Sequence, residues 1–219
     1  MYTSPLASPM THSCAAKAMP RSHRAKRALD ISLTLFGMLA ILPILLIIAL
    51  AVKLGSPGPV FFVQTRVGKD GQLFGMVKFR SMYVDAEARR AALRAKSDRA
   101  GICFKIKDDP RITPIGRILR RFSMDELPQL FNVLRGDMSL VGPRPALPEE
   151  VARYPRHAFE RLDVLPGITG SWQVSGRADL SFNQMIQLDL DYARNSTLAT
   201  DLTILRRTVD AVISGHGAY

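Results

Sequence analysis

From Ile31 to Val52 the chain reads ISLTLFGMLAILPILLIIALAV, 22 consecutive positions without a charge. A straight helix crossing the hydrocarbon core of a bilayer needs about 20 such residues. Pro43 divides the run, with twelve uncharged residues before it and nine after. An interior proline removes a backbone hydrogen bond and kinks a helix. Both flanks are positive, with Arg24, Lys26 and Arg27 before the run and Lys53, Arg66 and Lys69 after it. Positive flanks favour the cytoplasmic side, so both ends ask for the same side. Three arrangements remain open: a kinked helix that spans the bilayer, a re-entrant helix that bends at Pro43 and returns, and a buried helix of a soluble protein. At the bend, freed backbone groups need partners, with Thr34, Ser32 or a neighbouring helix as the candidates. A signal peptide, cleaved or uncleaved, is disfavoured, because Lys53 follows directly with no small-x-small pattern.

Beyond this run the pattern changes character. Gly55 to Pro59, GSPGP, is a turn cluster. VFFVQTRV and LFGMVKF flank an Asp70-Gly71 turn and predict a β-hairpin over Val60 to Phe79. The stretch VDAEARRAALRAKSDRA predicts an exposed helix. RITPIGRILRRF places Ile115, Ile118, Leu119 and Phe122 on one helical face beside Arg117, Arg120 and Arg121. Such a helix suits either a membrane interface or packing on the core. A second helix is expected from Met124 to Arg135, with Leu127, Leu130, Phe131 and Leu134 as its apolar face and Gly136 as its stop. SLVGPRPALPEE and VLPGITGSWQVSGR read as loops, and the stretch after them as helix interrupted near Asn195. The expected fold is mainly α with a small β-hairpin, and no internal repeat is present.

The chain has 219 residues, enough for one domain with appendages. Its formal charge is +11, from 30 Lys and Arg against 19 Asp and Glu, which points to an anionic partner: nucleic acid, an acidic membrane or a phosphorylated small molecule. Cys14 and Cys103 lie far apart and His12 is the one Cys or His close to either, so neither a disulfide framework nor a zinc site is indicated. Residues 1–22 lack apolar periodicity and are expected to be disordered. No nucleic-acid motif is present.

The segment ILRRFSMDELPQLFNVLRGD carries the candidate chemistry. Ser123 followed by Glu126 has the spacing of a capping box, and acids in a first helical turn suit the macrodipole. Spacing alone favours that structural role. Arg120, Arg121 and Arg144 lie close in sequence, however, and arginine forks recognise phosphates. Among such arginines a carboxylate can act as a nucleophile and its neighbour can hold a divalent cation. If Glu126 holds a metal, its capping contact is expected to be weak or absent.

Several blocks in order, PGPVFFVQTRVG, KFRSM, LRRFSMDELPQLFNVLRGDMSLVGPRP, PGITGSWQVSGR and LDLDYARNSTLATDL, with a terminal GAY, resemble the bacterial sugar transferase family. These are monotopic polyprenyl-phosphate phosphoglycosyl transferases, and the likeness is to the exopolysaccharide-priming type. It covers roughly residues 24 to 219. The resemblance implies transfer of a sugar-1-phosphate from a UDP-sugar to undecaprenyl phosphate, with release of UMP, at the cytoplasmic face of the bacterial inner membrane. It implies Asp125 as nucleophile, Glu126 as the ligand of Mg²⁺ and a phosphosugar-aspartyl intermediate. Cations and metal are what an anionic nucleophile needs to approach a diphosphate.

On the same ground Lys78, Arg80, Arg120, Arg144 and Arg177 are assigned to phosphates or donor binding, and Asp189 to metal or nucleoside, with Asp191 as its competitor. Arg117 and Arg121 are expected in surface salt bridges. The family also implies a re-entrant helix bent at Pro43, although Leu42 stands where many members have serine. The expected organisation is a leader over 1–22, a basic flank and membrane helix over 23–54, and a catalytic domain over 55–219. An anionic membrane is the expected surface, and galactose or glucose the sugar. A homodimer or other homo-oligomer stays open. The competing reading is a non-catalytic single-span scaffold or basic anion binder, which has no need of an acid pair among arginines.

Overall fold

The computed structural model describes residues 21–93, 109–176 and 180–214. Residues 1–20, both cysteines, the later part of the stretch predicted as an Ala- and Arg-rich helix, Arg177 and the terminal GAY lie outside these ranges. The apolar run forms the greater part of α1, Arg21–Gly55, one helix of 35 residues that continues past Pro43. Its two ends both rest on the rest of the chain. Near the N-terminal end Lys26 Nζ donates to Val141 O (3.0 Å) and Asp201 Oδ2 (2.8 Å). Arg27 donates to Val133 O (2.6 Å) and Leu134 O (2.9 Å), and Asp30 accepts from Ser139 Oγ (2.8 Å) and Leu140 N (3.1 Å). Near the C-terminal end Ile48 and Val52 are buried with Phe79 and Leu119. Between these anchors Phe36, Leu39, Leu46 and Ile47 are exposed. Among the described residues the buried Thr34 hydroxyl has no hydrogen-bond partner and Ser32 is exposed, so neither of these two takes the role considered for it at Pro43.

The hairpin forms as the pattern predicts. β1, Phe61–Val67, pairs antiparallel with β2, Leu73–Phe79, in the register Phe61 to Phe79 and Val67 to Leu73. A short helical turn, Lys69–Gly71, joins them with Asp70 in the left-handed region at φ 53°. After β2 come α2, Ala86–Leu93, and α3, Pro114–Arg121, the latter capped by Thr113, whose side chain accepts from Gly116 N. Leu119 of α3 is buried while Ile118 is 55% exposed, so the predicted apolar face is shared between core and surface.

The second predicted helix is shorter than its pattern. Met124–Glu126 is a 3₁₀ turn, and α4 runs from Gln129 to Arg135, ending where Gly136 takes φ 99°. Its buried face is Gln129, Asn132 and Val133, whereas Phe131 is 47% exposed. The polar Asn132 is buried because its amide is fully used: Oδ1 accepts from Val77 N (3.0 Å) and Nδ2 donates to Gly75 O (2.8 Å) and Asp137 (3.1 Å). A satisfied amide loses little by burial.

The two expected loops contain short strands. β3, Ser139–Val141, and β4, Gly167–Thr169, pair in parallel. Gly142 and Gly167 permit this approach, since a Cβ on Gly167 would lie 2.0 Å from Gly142 N. Between them lie α5, Pro148–Val151, and a 3₁₀ segment, Arg156–Leu162. α6, Phe182–Asn195, and α7, Leu198–Ser214, break beside Asn195 as expected. Trp172 packs with Ala158, Met185, Ile186 and Leu190 under α6.

Candidate active site

Three segments converge on the acid pair: the end of β2, the turn after α3 and the loop after β3. Asn132 ties α4 to the free edge of β2 at Gly75 and Val77, and so sets Lys78 opposite the 3₁₀ turn. Lys78 Nζ donates to Glu126 Oε1 at 2.7 Å, and Arg144 Nη1 reaches the same oxygen at 3.3 Å. Glu126 Oε2 takes part in neither bond. Asp125 is 8% exposed and, among the described residues, its carboxylate receives no hydrogen bond. All four residues line a cavity of about 800 Å³, which extends to Ile41 and Ile44 of α1 and to Phe61 and Phe62 of β1.

The capping box is absent. Ser123 lies in the left-handed region at φ 55° and its side chain caps nothing, while Glu126 turns to Lys78 instead of back to Ser123. A non-glycine residue in that region costs about 1–2 kcal/mol, and here it redirects the chain between α3 and the turn that carries the acids.

Electrostatics separates the two carboxyls. Burial pushes Glu126 up, but Lys78 and Arg144 outweigh it and hold its pKa at about 2. For Asp125 burial raises the pKa, Lys78 opposes it, Glu126 adds to the rise, and Arg120 and Arg144 oppose it more weakly; the net direction is upward. Burial lowers the Lys78 pKa, against the pull of Glu126. The neighbours thus ionise Glu126 firmly and leave Asp125 as an uncommitted carboxylate facing the cavity.

Other assigned residues are placed differently. Arg80 gives its guanidinium to carbonyls at the end of α1, to Pro57 O, Ser56 O (2.7 Å) and Val52 O (3.3 Å), and so terminates that helix, while it and Arg120 also line the cavity of the acid pair. Asp189 is 1% exposed and its charged partner is Arg161, while Asp191 is exposed and accepts from Gln187. Among the described residues Arg117 and Arg121 form no salt bridge; Arg121 stands 5.6 Å from the Phe122 ring centroid. The sequence reading missed Arg66, which is buried, donates to Pro145 O (3.0 Å) and adds positive potential at Glu126. A charged residue inside the apolar run of β1 was the available signal. It also missed Asn132 and Arg161, whose roles rest on partners far along the chain.

Among the described residues no three carboxylate, His or Cys side chains gather as a metal cage. Mg²⁺ typically takes one or two carboxylates together with substrate phosphates. Glu126, ionised and with Oε2 outside the hydrogen bonds of the described residues, fits that type of site, whereas Asp189, enclosed with Arg161, does not.

A family profile described as "Bacterial sugar transferase" matches residues 21–215. The chain is 38% identical over 200 residues to the exopolysaccharide production protein ExoY of Sinorhizobium fredii, covering 89% of this chain and 88% of that protein. It is 41% identical over 198 residues to the undecaprenyl-phosphate galactose phosphotransferase of Salmonella typhimurium, covering 89% of this chain and 41% of that one. It is 42% identical over 207 residues to the undecaprenyl-phosphate glucose phosphotransferase of Komagataeibacter xylinus, covering 89% and 37%. The chain therefore spans less than half the length of the last two relatives.

Proposed function

Because the chain belongs to the bacterial sugar transferase family, we propose that it transfers a hexose-1-phosphate, with galactose or glucose as the sugar, from a UDP-sugar to undecaprenyl phosphate. The observation that carries this reading is the separation of roles within one acid pair: Glu126 held ionised by Lys78 and Arg144, Asp125 buried and uncommitted at the cavity wall. In the first step an Asp125 carboxylate oxygen attacks the phosphorus that bears the sugar. A P–O bond breaks and UMP leaves with the electron pair. In the second step a phosphate oxygen of undecaprenyl phosphate attacks the same phosphorus, the bond to Asp125 breaks, and the carboxylate is restored.

Glu126 would hold Mg²⁺, which when bound offsets the charge of the donor diphosphate. Arg144 and Arg120 supply fixed positive charge beside it, and Lys78 keeps Glu126 in its ionised form. Burial of Asp125 strips it of water, which raises its reactivity once ionised. Incubating the purified full chain with Mg²⁺, undecaprenyl phosphate and a panel of UDP-sugars tests the reading. UMP is expected from UDP-galactose or UDP-glucose; no UMP from any donor refutes it.

The helix α1 is proposed to enter the cytoplasmic leaflet and return, with Pro43 at its bend. Support comes from its ends: Lys26, Arg27 and Asp30 bind the same domain that buries Ile48 and Val52, while the apolar side chains between are exposed. A crossing helix would carry one of those anchors into the hydrocarbon or across it. The exposure of Ile118 and Phe131 supports a position of α3 and α4 beside the same surface. Single cysteines introduced at Ser32 and Leu54 are expected to react with an impermeant thiol reagent from the cytoplasmic side alone, and labelling from opposite sides would contradict re-entry.

A further inference from the structure

Arg144 lies in the stretch Gly142-Pro143-Arg144-Pro145-Ala146, whose two prolines have no N–H with which to anchor it. Carbonyl oxygens do that instead. Pro143 O accepts from Gly167 N (2.9 Å), Arg144 O from Arg161 Nη2 (2.9 Å), Pro145 O from Arg66 Nη1 (3.0 Å) and Ala146 O from Val67 N (2.9 Å). Four successive carbonyls are held by four different donors, and two of those donors are buried arginines.

Arg161 is the more committed of the pair to this task. It is 3% exposed, its Nη2 is shared between Arg144 O and Asp189 Oδ2, and its Nη1 donates to the Tyr154 hydroxyl. Its guanidinium centre stands 5.6 Å from the Tyr154 ring centroid. Asp189 has Arg161 as its hydrogen-bond partner, and among the described residues its Oδ1 has none. A planar guanidinium reaches these acceptors at fixed angles in a way a neutral donor does not. From Arg144 the chain of contacts continues to Glu126 Oε1 at 3.3 Å.

We infer that Asp189 and Arg161 are positioning residues of the transferase reaction, acting through the backbone of Arg144 rather than by touching a metal or the nucleotide. Asp189 fixes Arg161, Arg161 fixes the Arg144 carbonyl, and the arginine side chain is thereby aimed at Glu126. Apolar replacement of a whole buried ion pair often leaves stability unchanged, so the pair can be removed together without unfolding the protein. A misplacement of about 1 Å in a site can cost on the order of 10²-fold in rate.

This inference rests on the transferase reading, and its test has one arm that does not. In the full chain, Arg161→Met combined with Asp189→Leu is expected to keep the unfolding temperature within a few degrees and to slow UMP release by roughly 10²-fold. In an Arg144→Ala background the same pair of changes is expected to add less than about twofold, because residues acting in series are non-additive. Asp189→Asn is expected to leave the Mg²⁺ concentration for half-maximal rate unchanged. Additive losses, or a shift in that Mg²⁺ concentration, overturn the inference. Amide hydrogen exchange over residues 141–147 supplies the separate arm: faster exchange in the double variant is expected, and unchanged exchange overturns it. Should wild type release no UMP, the transferase reading fails while the exchange result still decides whether the pair fixes this loop.

Discussion

Asp125→Asn is expected to reduce UMP release by about 10⁴-fold or more while leaving the unfolding temperature equal to or above that of wild type. The rate loss follows from removing the attacking atom, since an amide oxygen is a far poorer nucleophile than a carboxylate. The stability expectation follows from the environment. Burial raises the Asp125 pKa above its ordinary value, and among the described residues no donor offsets that by a hydrogen bond to the carboxylate. A carboxyl whose folded pKa is raised costs stability when ionised. That cost is absent at low pH, appears as pH rises through the ordinary carboxylate range, and is complete above the folded pKa. A neutral amide of the same shape escapes it at pH 7. Thermal unfolding and UMP release on the same preparation check both halves, and a residue kept only as a helix cap would show the reverse pattern.

Lys78→Met is expected to lower the rate by roughly 10²–10³-fold, the scale of a buried charge pair deprived of one partner. Lys78 makes the 2.7 Å bond to Glu126 and is the largest favourable charge acting on Asp125. Without it both carboxyls rise in pKa, because burial is then opposed only by the arginines. The nucleophile must be ionised, so activity is lost as pH falls through the Asp125 pKa, and a raised pKa moves that loss to higher pH. The acid limb of the rate profile is therefore expected to shift upward in the variant, with part of the activity recovered by raising the pH. A profile of unchanged shape would mean that Lys78 acts by geometry alone.

What was legible in the sequence was local. The hairpin followed from two β-rich runs around Asp70-Gly71, and the α6–α7 break was placed beside Asn195. The resemblance brought Asp125, Glu126, Lys78 and Arg144 to attention, and all four line one cavity. What was hidden depended on distant partners. The capping box was a sound reading of spacing, yet the geometry of Ser123 and the charge of Lys78, 48 positions away, turn Glu126 elsewhere. The buried face of α4 was misjudged because Asn132 counts as polar in any pattern, although β2 satisfies its amide. Strands of three residues such as β3 and β4 are too short for periodicity to reveal. Asp189 stands in a motif with a chemical reputation but is enclosed with Arg161, and Arg80, which lines the cavity, also ends α1.

The chemistry assigned to Asp125 is tested most directly by mass spectrometry of the full chain incubated with the UDP-sugar it uses and Mg²⁺, in the absence of undecaprenyl phosphate. One hexose phosphate is expected to be bound covalently, on the peptide that contains Asp125, and to be released on addition of the lipid phosphate. Turnover to lipid product with no such adduct in wild type, or an adduct that persists in Asp125→Asn, would contradict the account.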